Sequence, residues 1–273
     1  MSKNIFLFIL CISCLRRCPL TPHHDVLHSR VVRDEESYTT GEILEGSNMS
    51  LKTTRRFVIP DIHGCARSFH SLLYNVIRLQ PEDTLYLLGD YIDRGPRSKA
   101  VLDEIIQLRR KGYSIHPLRG NHEQMLLQSQ DSVYALSLWL TNGGHATLDS
   151  FGVEDAGEIP YGYRNFLLGL RSHIILDHFV LVHACLNFEI PDPFADTEAM
   201  LWDRACKVNP ERIGGRRIIC GHSAVSREMV EESLSTSRIM LDNGCVYKER
   251  PGLGNLTALE LNSMSLFYQK NID

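Results

Sequence analysis

Five short apolar or β-rich runs in this chain each end on polar side chains that can bind a metal. RRFVIP runs into Asp61 and His63, TLYLLG into Asp90, SIHPLRG into Asn121 and His122, HFVLV into His183, and RRIICG into His222. Such runs mark buried strands. In α/β sheets, ligands gather outside the carboxyl ends of the strands. The fold must therefore bring five strand ends to one place.

Helical spacing fills the gaps between these runs. Phe69, Leu72, Leu73, Val76 and Ile77 share one helical face, and so do Val101, Leu102, Ile105 and Ile106. Ser98 suits the N-cap of the second helix, Arg109 to Lys111 its last turn, and Gly112 its stop. DSVYALSLWLTN predicts a third helix ended by Gly143-Gly144. RIMLDNG, NLTALELN and SLFYQ read as late strands with turns. The pattern is α/β, and it leaves open whether there is one sheet or two.

The chain has 273 residues and a net charge of −4, with 43% hydrophobic and 23% charged residues. That is enough for one substantial core. No large basic field exists, so a nucleic-acid partner has no electrostatic support. Of the eight cysteines, Cys65, Cys185 and Cys220 adjoin strands and read as buried free thiols, which leans toward a reducing, cytoplasmic setting. Cys11, Cys14, Cys18 and His23 lack the second paired half of a zinc site.

Residues 5–12, IFLFILCI, are too short to span a bilayer as a helix. Arg16 and Arg17 follow, with no clean small-residue cleavage site, although export through a signal segment remains the alternative. Residues 19–50 are polar and aperiodic. We expect residues 1–52 to be an N-terminal extension, with translation opening at Met49, and residues 53–273 to be one catalytic domain. Stable membrane insertion is not expected.

The ligand inventory is Asp61, His63, Asp90, Asn121, His183 and His222. Three imidazoles argue against calcium. Mixed imidazole and carboxylate ligands suit manganese, iron or zinc, manganese being the leading expectation. One ion would leave ligands unused, whereas two sharing a carboxylate would use all of them. Such pairs hydrolyse phosphoesters by lowering the pKa of a bridging water, to give hydroxide near neutral pH. An alkoxide leaving group needs a proton, which His122 beside Asp93 can supply. The planar fork of Arg94 suits phosphate.

In this order, DIHG, GDYIDRG, RGNHE, VHA and CGH resemble the phosphoprotein phosphatase branch of the calcineurin-like metallophosphoesterases, over about residues 55–250. LWDR (Leu201 to Arg204), LDNGCVY and LTALEL are similar to its bacterial and phage-type members. The resemblance implies a central β-sandwich flanked by helices, a four-layer αββα fold. It implies Asp61, His63 and Asp90 at a first ion, and Asp90, Asn121, His183 and His222 at a second. His122 would be the general acid with Asp93 behind it, and Arg94, Asn121 and Arg204 would contact phosphate. Expected substrates are phosphorylated proteins or peptides. The alternative is a symmetrical dinucleoside tetraphosphatase or another nucleotide phosphatase, and a third reading is an inactive metal-binding module.

Three positions depart from the family pattern. Pro60 stands where glycine precedes the first aspartate, Cys185 stands where HAG is usual, and GHSAVS replaces GHT followed by proline. None removes a ligand. Cys185 is expected to place a thiol near the second ion. The bland reading of Trp139 is core, and His145 is a weak site candidate.

Overall fold

The computed structural model describes residues 54–273. The expectations for residues 1–52 lie outside the described residues. Among the described residues, nine strands form: β1 (Arg56–Ile59), β2 (Thr84–Leu87), β3 (Ser114–Pro117), β4 (His173–Ile175), β5 (Phe179–Val182), β6 (Arg217–Cys220), β7 (Arg238–Met240), β8 (Asn255–Glu260) and β9 (Ser265–Lys270). They make a five-stranded sheet, ordered β3-β2-β1-β8-β9, and a four-stranded sheet, ordered β4-β5-β6-β7. β1, β2 and β3 run parallel, as do β5, β6 and β7. β8 and β9 pair as an antiparallel hairpin, as their spacing predicts.

The layers follow from side chains alternating along each strand. Phe57 and Ile59 join one apolar cluster, while Val58 between them joins another. Leu85 and Leu87 follow the first two, and Tyr86 and Leu88 follow Val58. In the second sheet, Phe179, Leu181 and Ile219 face the same middle cluster, while Val180, Val182, Ile218 and Cys220 face a third. The middle cluster is the sandwich core, with residues from both sheets. Each side chain buried there contributes about 1.5–3 kcal/mol relative to exposure.

Helices cover the outer faces. They are α1 (Ala66–Ser71), α2 (Ser98–Arg110), α3 (Asn121–Gln128), α4 (Val133–Trp139), α5 (His145–Phe151), α6 (Tyr161–Leu168), α7 (Thr197–Trp202) and α8 (Arg227–Ser233). Phe69, Leu72, Val101, Leu102 and Ile105 are buried against the first sheet, while Met200 from α7 packs outside the second. The four-layer αββα architecture is therefore observed. Among the described residues, no helix is long and apolar enough to cross a membrane.

Two local expectations need correction. Ser98 is the first helical residue of α2, with Arg97 at the cap, because its hydroxyl accepts from the Asp93 N–H instead. Gly143-Gly144 does not stop the third helix. Gly143 kinks it at φ 109°, and the helical run resumes at His145 as α5.

Candidate active site

The strand ends meet where the sequence places them. Asp61 and His63 leave β1, Asp90 leaves β2, and Asn121 and His122 open α3 just after β3. His183 leaves β5 and His222 leaves β6. All seven are buried.

The turns carrying them are strained. His63, Asp90, Asp93, Arg94 and His222 all have φ between 45° and 70°, the left-handed region that costs a non-glycine residue roughly 1–3 kcal/mol. Among the described residues, only Arg78 and Met264 share it outside the site. Hydrogen bonds over-determine the Asp90 turn. Glu123 accepts from the N–H of Asp90 at 2.8 Å, of Tyr91 at 2.8 Å and of Gly120 at 2.9 Å. The Asp90 carbonyl accepts from the His63 N–H at 2.8 Å. Gly120 is required by close approach, since a Cβ there would collide with the Asp90 backbone and carboxylate.

The donor atoms fit two cations. His63 Nδ1 donates to the Ile92 carbonyl at 2.9 Å and His183 Nδ1 to the Leu88 carbonyl at 3.0 Å. Each ring therefore turns the Nε2 lone pair inward. Asp90 Oδ2 lies 3.5 Å from both Nε2 atoms. Asn121 Oδ1 lies 2.9 Å from His183 Nε2 and 3.0 Å from His222 Nδ1, and those two nitrogens are 3.1 Å apart. Ligands about 2.0–2.2 Å from one ion sit about 3.0–3.5 Å from each other, so the second set is spaced for an ion as it stands. Asp61 Oδ2 is 3.9 Å from His63 Nε2, which makes the first set wider.

The electrostatics point the same way. Burial pushes the Asp61 and Asp90 carboxyls well above the usual carboxylate range; Asp242 adds to the rise at Asp61, and Asp61 to that at Asp90. Burial also lowers His63, His122 and His183, and takes His222 down to about 3 with help from Arg204. Crowded carboxylates among neutral imidazoles relax by taking up cations.

His122 is held differently. Its Nδ1 donates to Asp93 Oδ2 at 2.7 Å, and its buried Nε2 has no hydrogen-bond partner among the described residues. It lies 4.0 Å from Asp90 Oδ2, farther than the Nε2 atoms of His63 and His183. Arg94 Nη1 rests 2.5 Å from His63 Nε2. Arg204, exposed just beyond α7, donates to the His222 carbonyl at 3.0 Å and to Ser223 Oγ at 3.2 Å. Ser223 belongs to the departing GHSAVS stretch, and its hydroxyl gives Arg204 this contact.

Cys185 departs from expectation. It is fully buried among Val182, Leu186 and Met200 and forms a disulfide with Cys206, their Cα atoms 6.3 Å apart. It is not a free thiol, and cysteine usage no longer favours a reducing compartment. Cys65 and Cys220 are free and buried, as expected. His145 is exposed and Trp139 is core. The sequence reading missed the roles of Glu123, Trp139, Thr147 and Asp242. Of these, Glu123 had a signal, because a glutamate at the third helical position can reach back to the N-cap N–H, here that of Gly120.

This fold and site define a metallophosphoesterase. The model of the calcineurin-like phosphoesterase family matches residues 54–226, and the chain belongs to that family. It is 42% identical over 184 residues to serine/threonine-protein phosphatase 1 of Salmonella typhimurium, covering 63% of this chain and 80% of that one. It is 45% identical over 71 residues to a symmetrical bis(5'-nucleosyl)-tetraphosphatase of Acidovorax ebreus, covering 26% of this chain and 24% of that one. The chain spans about a quarter of the length of this tetraphosphatase and of two others that it matches. A solved structure provisionally assigned as a diadenosine tetraphosphatase is 21% identical, with a TM-score of 0.58 over 82% of this chain and 96% of that one, a likeness of fold.

Proposed function

We propose that this hydrolase is a phosphomonoesterase acting on phosphoserine or phosphothreonine in proteins. The observation that carries the reading is Asp90 Oδ2, placed 3.5 Å from two inward-facing imidazole nitrogens and so facing two ligand sets. Asp61, His63 and Asp90 would hold one divalent ion, and Asp90, Asn121, His183 and His222 the other. Bound there, the ions, manganese in our reading, supply Lewis acidity toward the phosphoryl group and lower the pKa of water.

The remaining residues handle the phosphate and the proton. Arg94, Arg204 and Asn121 present donors to phosphoryl oxygens. To give a proton from Nε2 to the leaving oxygen, the His122 ring must act as the imidazolium, because its Nδ1 proton is held by Asp93; that carboxylate supports the cationic form and fixes the ring. A thiol from Cys185 beside the second ion would have favoured an inactive module, but Cys185 lies in the outer apolar cluster.

A protein substrate is favoured by the relative matched over 80% of its length, named as a serine/threonine-protein phosphatase. The second reading, a dinucleoside tetraphosphatase, is favoured by the local identity over 71 residues. The test compares kcat/KM of the manganese-loaded protein on a phosphoserine peptide and on diadenosine tetraphosphate. We expect the peptide to lead by about 10-fold or more, a difference of about 1.4 kcal/mol in transition-state binding. The reverse order establishes the second reading, and no turnover with any divalent ion overturns both.

A further inference from the structure

Asp93 receives more donors than a carboxylate needs to hold one histidine. Beyond His122, Trp139 Nε1 lies 3.1 Å from Oδ1 and 3.0 Å from Oδ2, and Thr147 Oγ1 donates to Oδ1 at 2.6 Å. The backbone is gripped as well: the Asp93 N–H faces Ser98 Oγ at 3.0 Å and Thr147 Oγ1 at 2.9 Å. The next N–H, of Arg94, donates to the Gly143 carbonyl at 3.2 Å. One segment, residues 139–147, therefore holds both members of a consecutive left-handed pair, Asp93 at φ 70° and Arg94 at φ 67°.

The segment is shaped for this task. Gly144 packs so tightly on the Trp139 indole that a Cβ would overlap the ring, and a Cβ on Gly143 would meet Arg94. Trp139 and Thr147 are both fully buried, and indole nitrogen is a donor with no acceptor capacity. Trp139 can thus only bind the carboxylate. It leaves Oδ2 facing His122 Nδ1 and Oδ1 facing Thr147.

We propose that Trp139 and Thr147 are positioning residues. They fix the Asp93 carboxylate so that the His122 ring presents Nε2 to the leaving-group oxygen. The inference rests on His122 being the general acid. It assigns the kinked α4–α5 segment to proton delivery rather than to metal or phosphate binding.

Leaving-group dependence tests it, since a displaced general acid matters most when the departing oxygen is strongly basic. The manganese-loaded full chain is assayed on p-nitrophenyl phosphate, whose leaving group departs without help, and on phenyl phosphate, whose leaving group is more basic. Trp139→Phe and Thr147→Val should lower kcat on phenyl phosphate by about 10-fold or more, within the 10²–10⁴-fold scale of general acid catalysis. On p-nitrophenyl phosphate the loss should stay below about 3-fold, with KM and metal content held. Thr147→Ser, which keeps the hydroxyl, should restore the phenyl phosphate rate. Equal losses on both esters overturn the inference, as does a Thr147→Val enzyme indistinguishable from the parent.

His122→Asn separates the two layers of argument. A selective loss on phenyl phosphate in His122→Asn but not in the Trp139 or Thr147 variants defeats the positioning role alone. Equal loss in His122→Asn defeats the general-acid reading and the inference with it. If Trp139→Phe does not fold, the Thr147→Val and Thr147→Ser pair decides.

Discussion

Breaking the Cys185–Cys206 bond should cost stability and loosen phosphate binding together. The paired positions are 21 residues apart. Closing a loop of that length in the unfolded chain removes entropy worth about 3 kcal/mol. For a domain of this size, each kcal/mol moves Tm by about 2–4 °C, so Cys206→Ala should lower Tm by about 6–12 °C. The loop also carries function. Arg204 stands two positions before Cys206, and its carbonyl accepts from Arg238 at 3.0 Å. Cys185 stands two positions after His183 but points into the outer apolar cluster. Release should therefore raise KM for phosphate esters while leaving metal content unchanged. Scanning calorimetry with and without reductant checks the first part, and steady-state kinetics with metal analysis checks the second. A Tm unmoved by reductant, or two alkylatable thiols at Cys185 and Cys206 in the native protein, would refute the reasoning.

Three further outcomes are expected. Asp90→Asn keeps shape but removes the shared charge, so both ions should weaken by more than the roughly 10–100-fold that loss of an outer-sphere partner costs; retention of two ions per chain by metal analysis would show that Asp90 is not common to both. Arg204→Ala should lower kcat/KM about 10- to 150-fold, the equivalent of one charged hydrogen bond of about 1.5–3 kcal/mol, chiefly through KM, and an unchanged KM counts against a phosphate contact. Burial raises the Asp61 and Asp90 pKa values, so protons compete with ligation at these carboxyls at higher pH than at ordinary ones, whereas His222, at about 3, offers no such competition. Metal uptake in the acid range should therefore release protons and weaken as pH falls; titration calorimetry giving the same heat in buffers of different ionisation enthalpy would contradict this.

What the sequence made legible was the part encoded locally. β1, β2, β5 and β6 are buried on both faces, so their apolar runs are continuous and their ends are marked by the ligands. β4 has only three residues, none fully buried, and gave no such signal. The cluster of candidate ligand side chains was legible because each follows a strand directly. The network behind them was not: Trp139 reaches Asp93 across 46 positions, and an indole on an apolar helical face reads as core whether or not its N–H is used. The disulfide was hidden for a similar reason, since spacing between cysteines does not give their pairing. Asp242, buried and pushed up to about 6 chiefly by burial, sat in a turn-like LDNG stretch that suggested only a strand end.

The candidate ligands come from both sheets: Asp61, His63, Asp90 and Asn121 follow strands of one, His183 and His222 follow strands of the other. The gap between the ligand sets is therefore gauged by the apolar filling between the sheets, where Val58, Leu88, Leu181 and Ile219 meet. Those side chains act as shims, touching no phosphate yet setting how far His183 stands from Asp90. A methylene trimmed from that filling would retune the chemistry without altering any residue that performs it.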